Sequence, residues 1–341
     1  MNNKTVSVHI VTYNSTDDIK DCLEAVMAQD YPIEKIVVVD NASSDDCAEK
    51  VNTFFNAIDK GAFSSNSLED LDLFNSQANM EAPTSLLLIQ NQKNTGFAPA
   101  HNQAIAATET DYVLVLNPDL TLASDYISRL IARMEANPQI GSATGKLLLK
   151  ADHELVDSTG LRMNKTCRAF DRGAGEPAEL WTQSGTVFGV SGAAAMYTRR
   201  MIEDVSVDGE FFDADFFAYK EDVDVAWRAQ LFGWQGYYDA EAIGYHERGW
   251  KTSGRSTKPM FIRRISYINR YKMIYKNESA RTMLKTILIS LPYEIAAHGY
   301  MLLREPKLIV AWKSFFIQLP ALKKKRKYIQ TVVKERKKPV N

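Results

Sequence analysis

Apolar and polar residues follow two different rhythms in the first part of the chain. Val6–Val11, Lys35–Val39 and Leu86–Ile89 are short apolar runs rich in β-branched residues, which predict buried strands. Asp17–Gln29 and Asp46–Phe55 place apolar residues at helical spacing and predict amphipathic helices between those strands. Strands that alternate with helices predict an α/β fold with a mostly parallel sheet flanked by helices.

The same alternation continues further along the chain. Tyr112–Leu116 and Gly141–Leu149 are predicted strands, and Pro99–Thr108 and Ser124–Ala136 are predicted helices. The residues from there to about Trp181 are too weakly patterned for an assignment.

Polar residues mark several ends of these elements. Ser15 or Thr16 is predicted to be the N-cap of the first helix. Lys220–Arg228 is predicted to begin a later helix that Gly233 ends. The acidic residues of its first turn suit the positive end of the helix dipole. Tyr237–Tyr245 is a predicted strand that leads to His246.

A polar segment interrupts the pattern at about residues 57–84. It is rich in Ser, Asn, Asp and Gly, and a connection of this length predicts a mobile surface insertion, with a small ordered subdomain as the alternative. We expect residues 1–262 to form the α/β domain and residues 263–341 to form a helical extension.

Composition changes this picture little. The 341 residues suffice for one large domain with additions or for two domains, and 45% apolar and 24% charged residues are typical of globular proteins. Cys22, Cys47 and Cys167 are scattered and predict neither disulfides nor a metal site. Without a signal peptide or a long apolar span, we expect a cytoplasmic protein.

Charge separates the extension from the rest of the chain. Residues 263–341 carry 19 of the 41 basic and 4 of the 42 acidic residues. Thr282–Leu303 and Leu308–Leu322 are predicted interfacial amphipathic helices, followed by the cluster Lys323–Lys327. An anionic membrane attracts such a cluster by about 1 kcal/mol per residue, so peripheral attachment to the inner face of the cell membrane is expected.

Other roles for the extension are open. The helices could instead cover the α/β domain or form a homodimer seam, because most amphipathic helices face protein. Nucleic acid is not an expected partner, since the body of the chain is acidic and no recognition motif accompanies the basic residues.

The strand Tyr112–Leu116 ends on Asn117, Pro118 and Asp119. Open α/β sheets bind ligands at the carboxyl ends of their strands, so Asp119 is well placed to hold a cation or a phosphate-bound metal. The alternative is an ordinary turn, because Asn, Pro and Asp are common turn residues.

Taken in order, these segments resemble family 2 inverting glycosyltransferases of the GT-A fold, with the bacterial rhamnosyltransferase-like branch as the nearest pattern. The resemblance covers roughly residues 5–250 and rests on these motifs: Val11–Asn14, Val38–Ser43, Asn94–Phe97, Asn117–Asp119, Ser191–Ala193 and Glu221–Asp224 with Arg228.

The resemblance implies a nucleotide-sugar donor. Asp40 matches the carboxylate that accepts the ring N–H of uracil or thymine, which implies a UDP- or dTDP-sugar; a turn-capping role for Asp40 is the alternative. The implied donor-binding residues are Thr12, Tyr13, Asn14, Asp40, Asn41, Asn94, Gly96, Asn117 and Asp119.

The resemblance also implies a divalent cation, Mg or Mn, at Asp119 with His246 as a second contact. Asn117 replaces the first carboxylate of the usual acidic pair, which removes one negative charge and leaves a metal-independent mechanism open.

The family pattern assigns the catalytic base to Asp222, with Glu221 and Asp224 tuning or orienting it, because crowded carboxylates raise each other's pKa. Arg228 is expected to pair with Asp224 along one helix face. The alternative is an ordinary acidic helix start.

An acceptor surface is expected at Ser191, Gly192 and Trp250, with Trp181 and Tyr219 as further stacking residues. The implied activity is transfer of a hexose, rhamnose among the candidates, to a glycan or lipid-linked acceptor in bacterial cell-surface polysaccharide synthesis. The alternatives are a catalytically silent nucleotide-sugar-binding adaptor and a nucleotidyltransferase, and the absence of a Gly-rich phosphate loop argues against the latter.

Overall fold

A computed structural model describes residues 4–59, 84–247 and 259–337. Its strands are β1 Val6–Thr12, β2 Lys35–Asp40, β3 Ser85–Gln90, β4 Tyr112–Leu116, β5 Leu120–Leu122, β6 Ile140–Leu149, β7 Asp152–Ser158, β8 Leu161–Met163, β9 Ala169–Asp171, β10 Gly185–Val187, β11 Ala194–Thr198 and β12 Gln235–His246. Its α-helices are α1 Ile19–Met27, α2 Cys47–Asp59, α3 Phe97–Ala106, α4 Tyr126–Ala136, α5 Arg199–Val205, α6 Glu221–Leu231, α7 Met260–Asn277, α8 Ala280–Arg304 and α9 Ala311–Arg336. Most of the predicted insertion, and Trp250, lie outside the described residues.

The described strands form a ten-stranded sheet and a two-stranded ribbon of β8 and β9. The order across the large sheet is β10-β12-β6-β11-β4-β1-β2-β3, with β5 on β12 and β7 on β6. β1, β2, β3 and β4 pair in parallel, as do β6 and β12, whereas β11 runs antiparallel between β4 and β6. The predicted α/β fold with a mostly parallel, helix-flanked sheet is confirmed.

Both faces of the sheet are covered, which explains why its central strands are apolar along their whole length. On one face Val8 of β1 belongs to the same buried cluster as Leu23 of α1. On the other face Val115 of β4 clusters with Val225 of α6 and Ile329 of α9. The C-terminal helix α9 therefore contributes to the core of the α/β domain.

The start of α1 differs from the prediction. The N-cap is Asp18, and neither Ser15 nor Thr16 caps the helix. The backbone N–H groups of Asp18 and Ile19 donate to the Ser15 carbonyl, while the Thr16 N–H donates to Asp45 Oδ2 at 3.0 Å. The two residues thus belong to a turn that is hydrogen-bonded to the loop after β2, and the helix begins after this turn.

The unassigned segment after β6 contains three short strands. β7 pairs antiparallel with β6 through a register that shifts twice, and β8 and β9 form their own ribbon. Short strands with interrupted pairing carry little periodicity, which is why the sequence pattern there was weak.

The C-terminal helices differ in their surroundings. α7 begins at Met260 and so crosses the predicted boundary at residue 262/263, and α9 packs against it. Lys325, within the predicted basic cluster, is buried, whereas α8 leaves many apolar side chains exposed. Among the described helices, none is both long enough and apolar enough to cross a membrane.

We expect Gly145→Ala to lower the free energy of unfolding by about 1–3 kcal/mol, the usual cost of overpacking a core. A Cβ at Gly145 would lie 2.1 Å from the Ala242 carbonyl oxygen and 2.5 Å from the Tyr126 ring, where β6 meets β12. Urea denaturation measures the loss. Gly185→Ala on β10 is the matched control, because its Cβ would meet no atom within 4 Å. An equal loss in both variants would contradict the close approach of β6 and β12.

Candidate active site

The sheet brings most of the predicted site residues to one edge. Thr12 ends β1, Asp40 ends β2, and His246 ends β12. The parallel registers place these carboxyl ends on the same side as the end of β4, which leads to Asp119. Antiparallel β11 starts at this edge, so the Ser191–Ala193 turn before it lies there too.

Two short contacts link the Asp119 turn to its neighbours. The Asn117 N–H donates to the Ala193 carbonyl at 2.8 Å, and the Glu247 N–H donates to the Asp119 carbonyl at 2.8 Å. β5, immediately after Asp119, pairs with the end of β12. The position of Asp119 is therefore fixed by backbone pairing with two strands that are distant in sequence.

His246 connects Asp119 to a second, fully buried acid. Its Nδ1 lies 2.8 Å from Asp157 Oδ2 and its Nε2 lies 3.2 Å from Asp119 Oδ1. Burial lowers the pKa of His246, but the two carboxylates outweigh burial and raise that pKa to about 9. Asp157 belongs to the segment that the sequence left unassigned, and nothing in the polar strand β7 distinguishes it from the two other acids there.

The Asp119 and His246 side chains suit a divalent cation, which would displace the proton that the two carboxylates favour on His246. Asp119 Oδ1 is buried and has no aligned hydrogen-bond donor, and Asp157 holds the far nitrogen of the imidazole, as carboxylates behind histidine ligands do at metal sites. Two ligand atoms bound side by side to one Mg or Mn ion are about 3 Å apart, close to the spacing seen here. No described residues form a cluster of three or more potential ligands, so the remaining ligands would be water and substrate oxygens.

The turns after β1 and β2 are tied to each other. Thr12 Oγ1 donates to Asp40 Oδ1 at 3.0 Å, and the Ser43 hydroxyl and N–H donate to the two Asp40 oxygens. Asn14 has a left-handed backbone, with φ of 54°, and its side chain accepts from the Ser44 N–H. Asp40 is thus buried and already bonded within its own turn, while Tyr13 is 52% exposed.

The buried Asn41 side chain joins the turn after β2 to the turn after β3. Its Nδ2 donates to Asn94 Oδ1 and to the Gly96 carbonyl, both at 3.1 Å. Its Oδ1 accepts from Asn91 Nδ2 and from the Thr95 N–H. All hydrogen-bonding groups of the Asn41 side chain are used within the protein, so in this structure it shapes the loop and presents nothing to a ligand.

Asp222 sits at the first turn of α6 and faces the turn before β11. Its Oδ2 accepts from the Gly192 N–H at 3.3 Å and its Oδ1 from the Val223 N–H at 2.7 Å. A Cβ at Gly192 would lie 3.3 Å from the Phe97 ring, so glycine permits this close approach, and Ser191 is buried beside it.

Glu221 and Asp222 form a coupled pair of carboxyl groups. Burial, and then the charge of Asp222, raises the pKa of Glu221 to about 8. Burial also raises the pKa of Asp222, against opposing hydrogen bonds from Val223 and Gly192. Raised carboxyl pKa values of this kind suit a base that works near neutral pH.

Asp224 lies on another side of α6, and its carboxylate is fully buried. The predicted pair with Arg228 is confirmed, with Arg228 Nε 3.0 Å from Asp224 Oδ2. The sequence did not reveal Lys276 and Asn277 of α7, which donate to the same carboxylate at 2.7 Å each.

The aromatic residues expected at the acceptor side have different surroundings. The Arg172 guanidinium carbon lies 4.3 Å from the centroid of the Trp181 ring. The Trp181 carbonyl accepts from the Tyr238 hydroxyl. Tyr219 has a left-handed backbone just before α6. Trp250 lies outside the described residues, so its predicted role stays a prediction.

A family model matches more than half of the chain. The model of Glycosyl transferase family 2 aligns with residues 7–66 and 73–206. This range includes Asp40, Asp119 and the turn at Gly192, and it ends before Asp222 and His246.

Curated relatives match at low identity. A poly-β-1,6-N-acetyl-D-glucosamine synthase of Staphylococcus epidermidis is 22% identical over 238 residues, 70% of this chain and 48% of the relative. Its counterpart in Staphylococcus aureus is 23% identical over 234 residues, 69% of this chain and 48% of the relative. The chain spans about half the length of these relatives, and neither is a rhamnosyltransferase by name.

A solved structure shares the fold. GalNAc-T7, crystallised with UDP, GalNAc and Mn2+, superposes with a TM-score of 0.55 at 14% identity over 81% of this chain and 48% of that chain. At this identity the likeness shows the fold alone.

We expect Glu221→Gln to increase the free energy of unfolding, relative to the wild type, by about 1 kcal/mol or more at pH 8. The folded state keeps the Glu221 proton up to pH of about 8, whereas an unperturbed glutamate has a pKa of 4.5. The stabilisation from this proton is present below pH 4.5 and is lost as the pH rises through 8. Urea denaturation at several pH values measures the difference between the two proteins. A difference that stays constant from pH 5 to pH 8 would show that the pKa of Glu221 is not raised.

Proposed function

The chain belongs to glycosyltransferase family 2, and we propose that it transfers a hexose from a UDP- or dTDP-sugar, with inversion, to a glycan or lipid-linked acceptor in bacterial cell-surface polysaccharide synthesis. The observation that carries this proposal is the placement of Asp119 and Asp222 along one sheet edge, joined through the β4–β11 pairing and the Gly192 contact. The names of the staphylococcal relatives support a polysaccharide product, and rhamnose is one candidate sugar.

The donor side is built by the turns after β1, β2 and β4. Tyr13 is the exposed aromatic side chain of these turns and is available to stack on a nucleotide base. Asp40 accepts three hydrogen bonds from Ser43 and Thr12, which leaves one acceptor position on Oδ2 for a pyrimidine N–H. Asn41, Asn94 and Gly96 act by holding the loop that faces the donor.

Asp119 and His246 would hold a divalent cation, Mg or Mn, which would neutralise charge on the departing diphosphate. Asn117 contributes a neutral carboxamide in place of a carboxylate, so the protein supplies one anionic ligand from this turn. The buried Asp157 keeps the imidazole oriented with Nε2 toward Asp119.

Asp222 is the proposed base. Its carboxylate takes the proton of the acceptor hydroxyl as that oxygen bonds to the anomeric carbon, and the bond from that carbon to the diphosphate oxygen breaks with its electron pair on the leaving nucleotide. One displacement at the anomeric carbon inverts its configuration. Glu221, whose pKa is raised to about 8, keeps its proton near neutral pH and so adds no negative charge beside the proposed base.

A catalytically silent adaptor is the second candidate, and the missing carboxylate at Asn117 favours it. It predicts nucleotide-sugar binding without transfer to any acceptor. The raised pKa of the Asp222 carboxyl, which a binding module has no use for, supports the enzyme.

Helix α8 is the proposed membrane-facing element. Leu284, Leu288 and Ile295 recur on one face and are 61–66% exposed. Ile289, Tyr300 and Leu303 extend the exposed apolar surface around the helix. A surface this broad suits insertion at a lipid interface better than the narrow stripe of a coiled-coil dimer.

Charge supports the same partner. Glu294 and Glu305 are the only acids among residues 280–334, and Arg270 and Arg263 pair with them. The exposed charges there are basic, as an anionic lipid surface requires. We therefore place the protein at the inner face of the cell membrane, where lipid-linked acceptors are found.

We expect Asp222→Asn to keep donor binding within about threefold and to reduce transfer by about a hundredfold or more, because a carboxamide cannot accept the acceptor proton. Asp119→Ala should instead weaken the Mn-dependent part of UDP binding. Calorimetry with UDP and Mn measures binding, and nucleotide release from a panel of UDP- and dTDP-sugars measures transfer. Asp152→Asn, an exposed acid on β7, is the control. Undiminished transfer by Asp222→Asn would exclude it as the base, and wild-type binding without turnover would favour the adaptor.

We expect the wild type to co-sediment with phosphatidylglycerol vesicles and not with phosphatidylcholine vesicles. Leu288→Glu with Ile295→Glu should reduce this binding about tenfold, because charge on the apolar face opposes insertion. Leu180→Glu, equally exposed at 66% but outside the extension, should bind like the wild type. If the double variant binds vesicles normally but changes from dimer to monomer in sedimentation velocity, α8 is a dimer surface and the membrane assignment is wrong.

A further inference from the structure

The loop that precedes the proposed base is held in an unfavourable backbone conformation. Phe217, Tyr219 and Lys220 have φ values of 63°, 69° and 78°, and none is glycine. L-residues with bulky side chains adopt this left-handed region only when their surroundings impose it. Residues 216–220 are therefore shaped by contacts from outside the loop.

Asn269 of α7 provides these contacts. Its side chain is fully buried, and Nδ2 lies 2.8 Å from the Phe216 carbonyl, 3.0 Å from the Ala218 carbonyl and 2.9 Å from the Tyr219 carbonyl. Three carbonyls that point at one amide fix the curvature of the loop. One turn further along α7, Lys272 donates to the Asp215 carbonyl at 3.2 Å.

The same loop touches both halves of the proposed site. On the donor side, the Phe217 carbonyl accepts from the Ala98 N–H at 3.1 Å, and a Cβ at Gly96 would lie 2.5 Å from that carbonyl oxygen. On the other side, the Lys220 carbonyl accepts from the Asp224 N–H at 2.9 Å and so forms the first turn of α6. A shift of the loop would move Asp222 relative to the donor turn.

Helix α7 also contacts α6 through buried ion pairs. Lys276 donates to Asp224 at 2.7 Å and pairs with Asp213, and Lys325 of α9 pairs with Asp213 from the opposite side. The cluster is fully or nearly fully buried, so these contacts are little screened by solvent. The first turn of α6 is thus bounded by α7 through both the loop carbonyls and Asp224.

We propose that Asn269 is a positioning residue for Asp222: it touches neither substrate nor base, and it sets the base against the donor by imposing the left-handed loop at residues 216–220. The proposal rests on the function proposed above, because the alignment matters only for proton transfer. It assigns a catalytic role to the C-terminal helices, which lie beyond the range of the family match.

The test compares two buried amides that each serve backbone groups. Asn269→Leu removes the donor to the loop. Gln29→Met is the matched control, because Gln29 is also fully buried and makes three hydrogen bonds to backbone groups of α1, of α4 and of Ala123 in the turn between β5 and α4. Both variants should lower the melting temperature. Asn269→Leu alone should reduce kcat about tenfold or more while the UDP–Mn dissociation constant stays within about twofold, because misplaced reacting groups slow the chemical step without weakening binding.

Hydrogen exchange supplies a readout that does not depend on turnover. Peptides covering residues 216–224 should exchange faster in Asn269→Leu and at the wild-type rate in Gln29→Met. If Asn269→Leu does not fold, Asn269→Ser replaces it and, with one hydroxyl donor retained, should lose less kcat but show the same pattern.

The outcomes separate the two proposals. No transfer by the wild type would overturn the proposed function, and the exchange rates would still decide whether Asn269 holds the loop. An active wild type with equal kcat losses in Asn269→Leu and Gln29→Met would show that Asn269 is merely structural. Unchanged exchange at residues 216–224, or an unchanged kcat, would overturn the positioning role.

Discussion

The pairing of β11 with β4 is the constraint on which the site depends. β11 enters the parallel sheet in the opposite direction, so the turn before it meets the ends of the parallel strands. The Asn117 N–H then bonds to the Ala193 carbonyl, while Gly192 beside it bonds to Asp222. Without this reversal, Asp119 and the proposed base Asp222 would have no common edge, since they belong to segments about a hundred residues apart.

Buried ion pairs join the acidic α/β domain to the basic C-terminal extension. Lys276 and Lys325 of the extension are buried against Asp213 and Asp224 of the α/β domain. Charges buried in this way must be paired, because removing one partner of such a pair costs about 3–5 kcal/mol. Burial raises the pKa of Asp213, but the Lys276 and Lys325 ammonium groups outweigh burial and lower that pKa, so Asp213 stays ionised. Other basic residues of the extension, among them Arg281, Lys285 and Lys323, are exposed and are available to an anionic surface.

Hydrogen bonding organises the loops of the site before any ligand binds. Asn41 joins the turns after β2 and β3 on the donor side, and Asn269 joins three carbonyls on the base side. Each uses a short, buried amide where a flexible loop would otherwise sample many conformations. The left-handed residues Phe217, Tyr219 and Lys220 show that this order is imposed at a conformational cost, which is typical of functional loops.

From the sequence alone, six of the described strands (β1–β4, β6 and β12), most helices and the edge at which the polar turns meet could be predicted, because apolar periodicity is local and parallel strands share a direction. The sequence also predicted site roles for Asp119, Asp222 and His246 and the Asp224–Arg228 pair, which adjacent residues mark. The partners of these groups are set by the tertiary structure. Asp157 behind His246, Lys276 beside Asp224 and Asn269 beneath the 216–220 loop come from segments with no motif, since a buried partner is chosen by proximity in space and leaves no periodic trace in the chain.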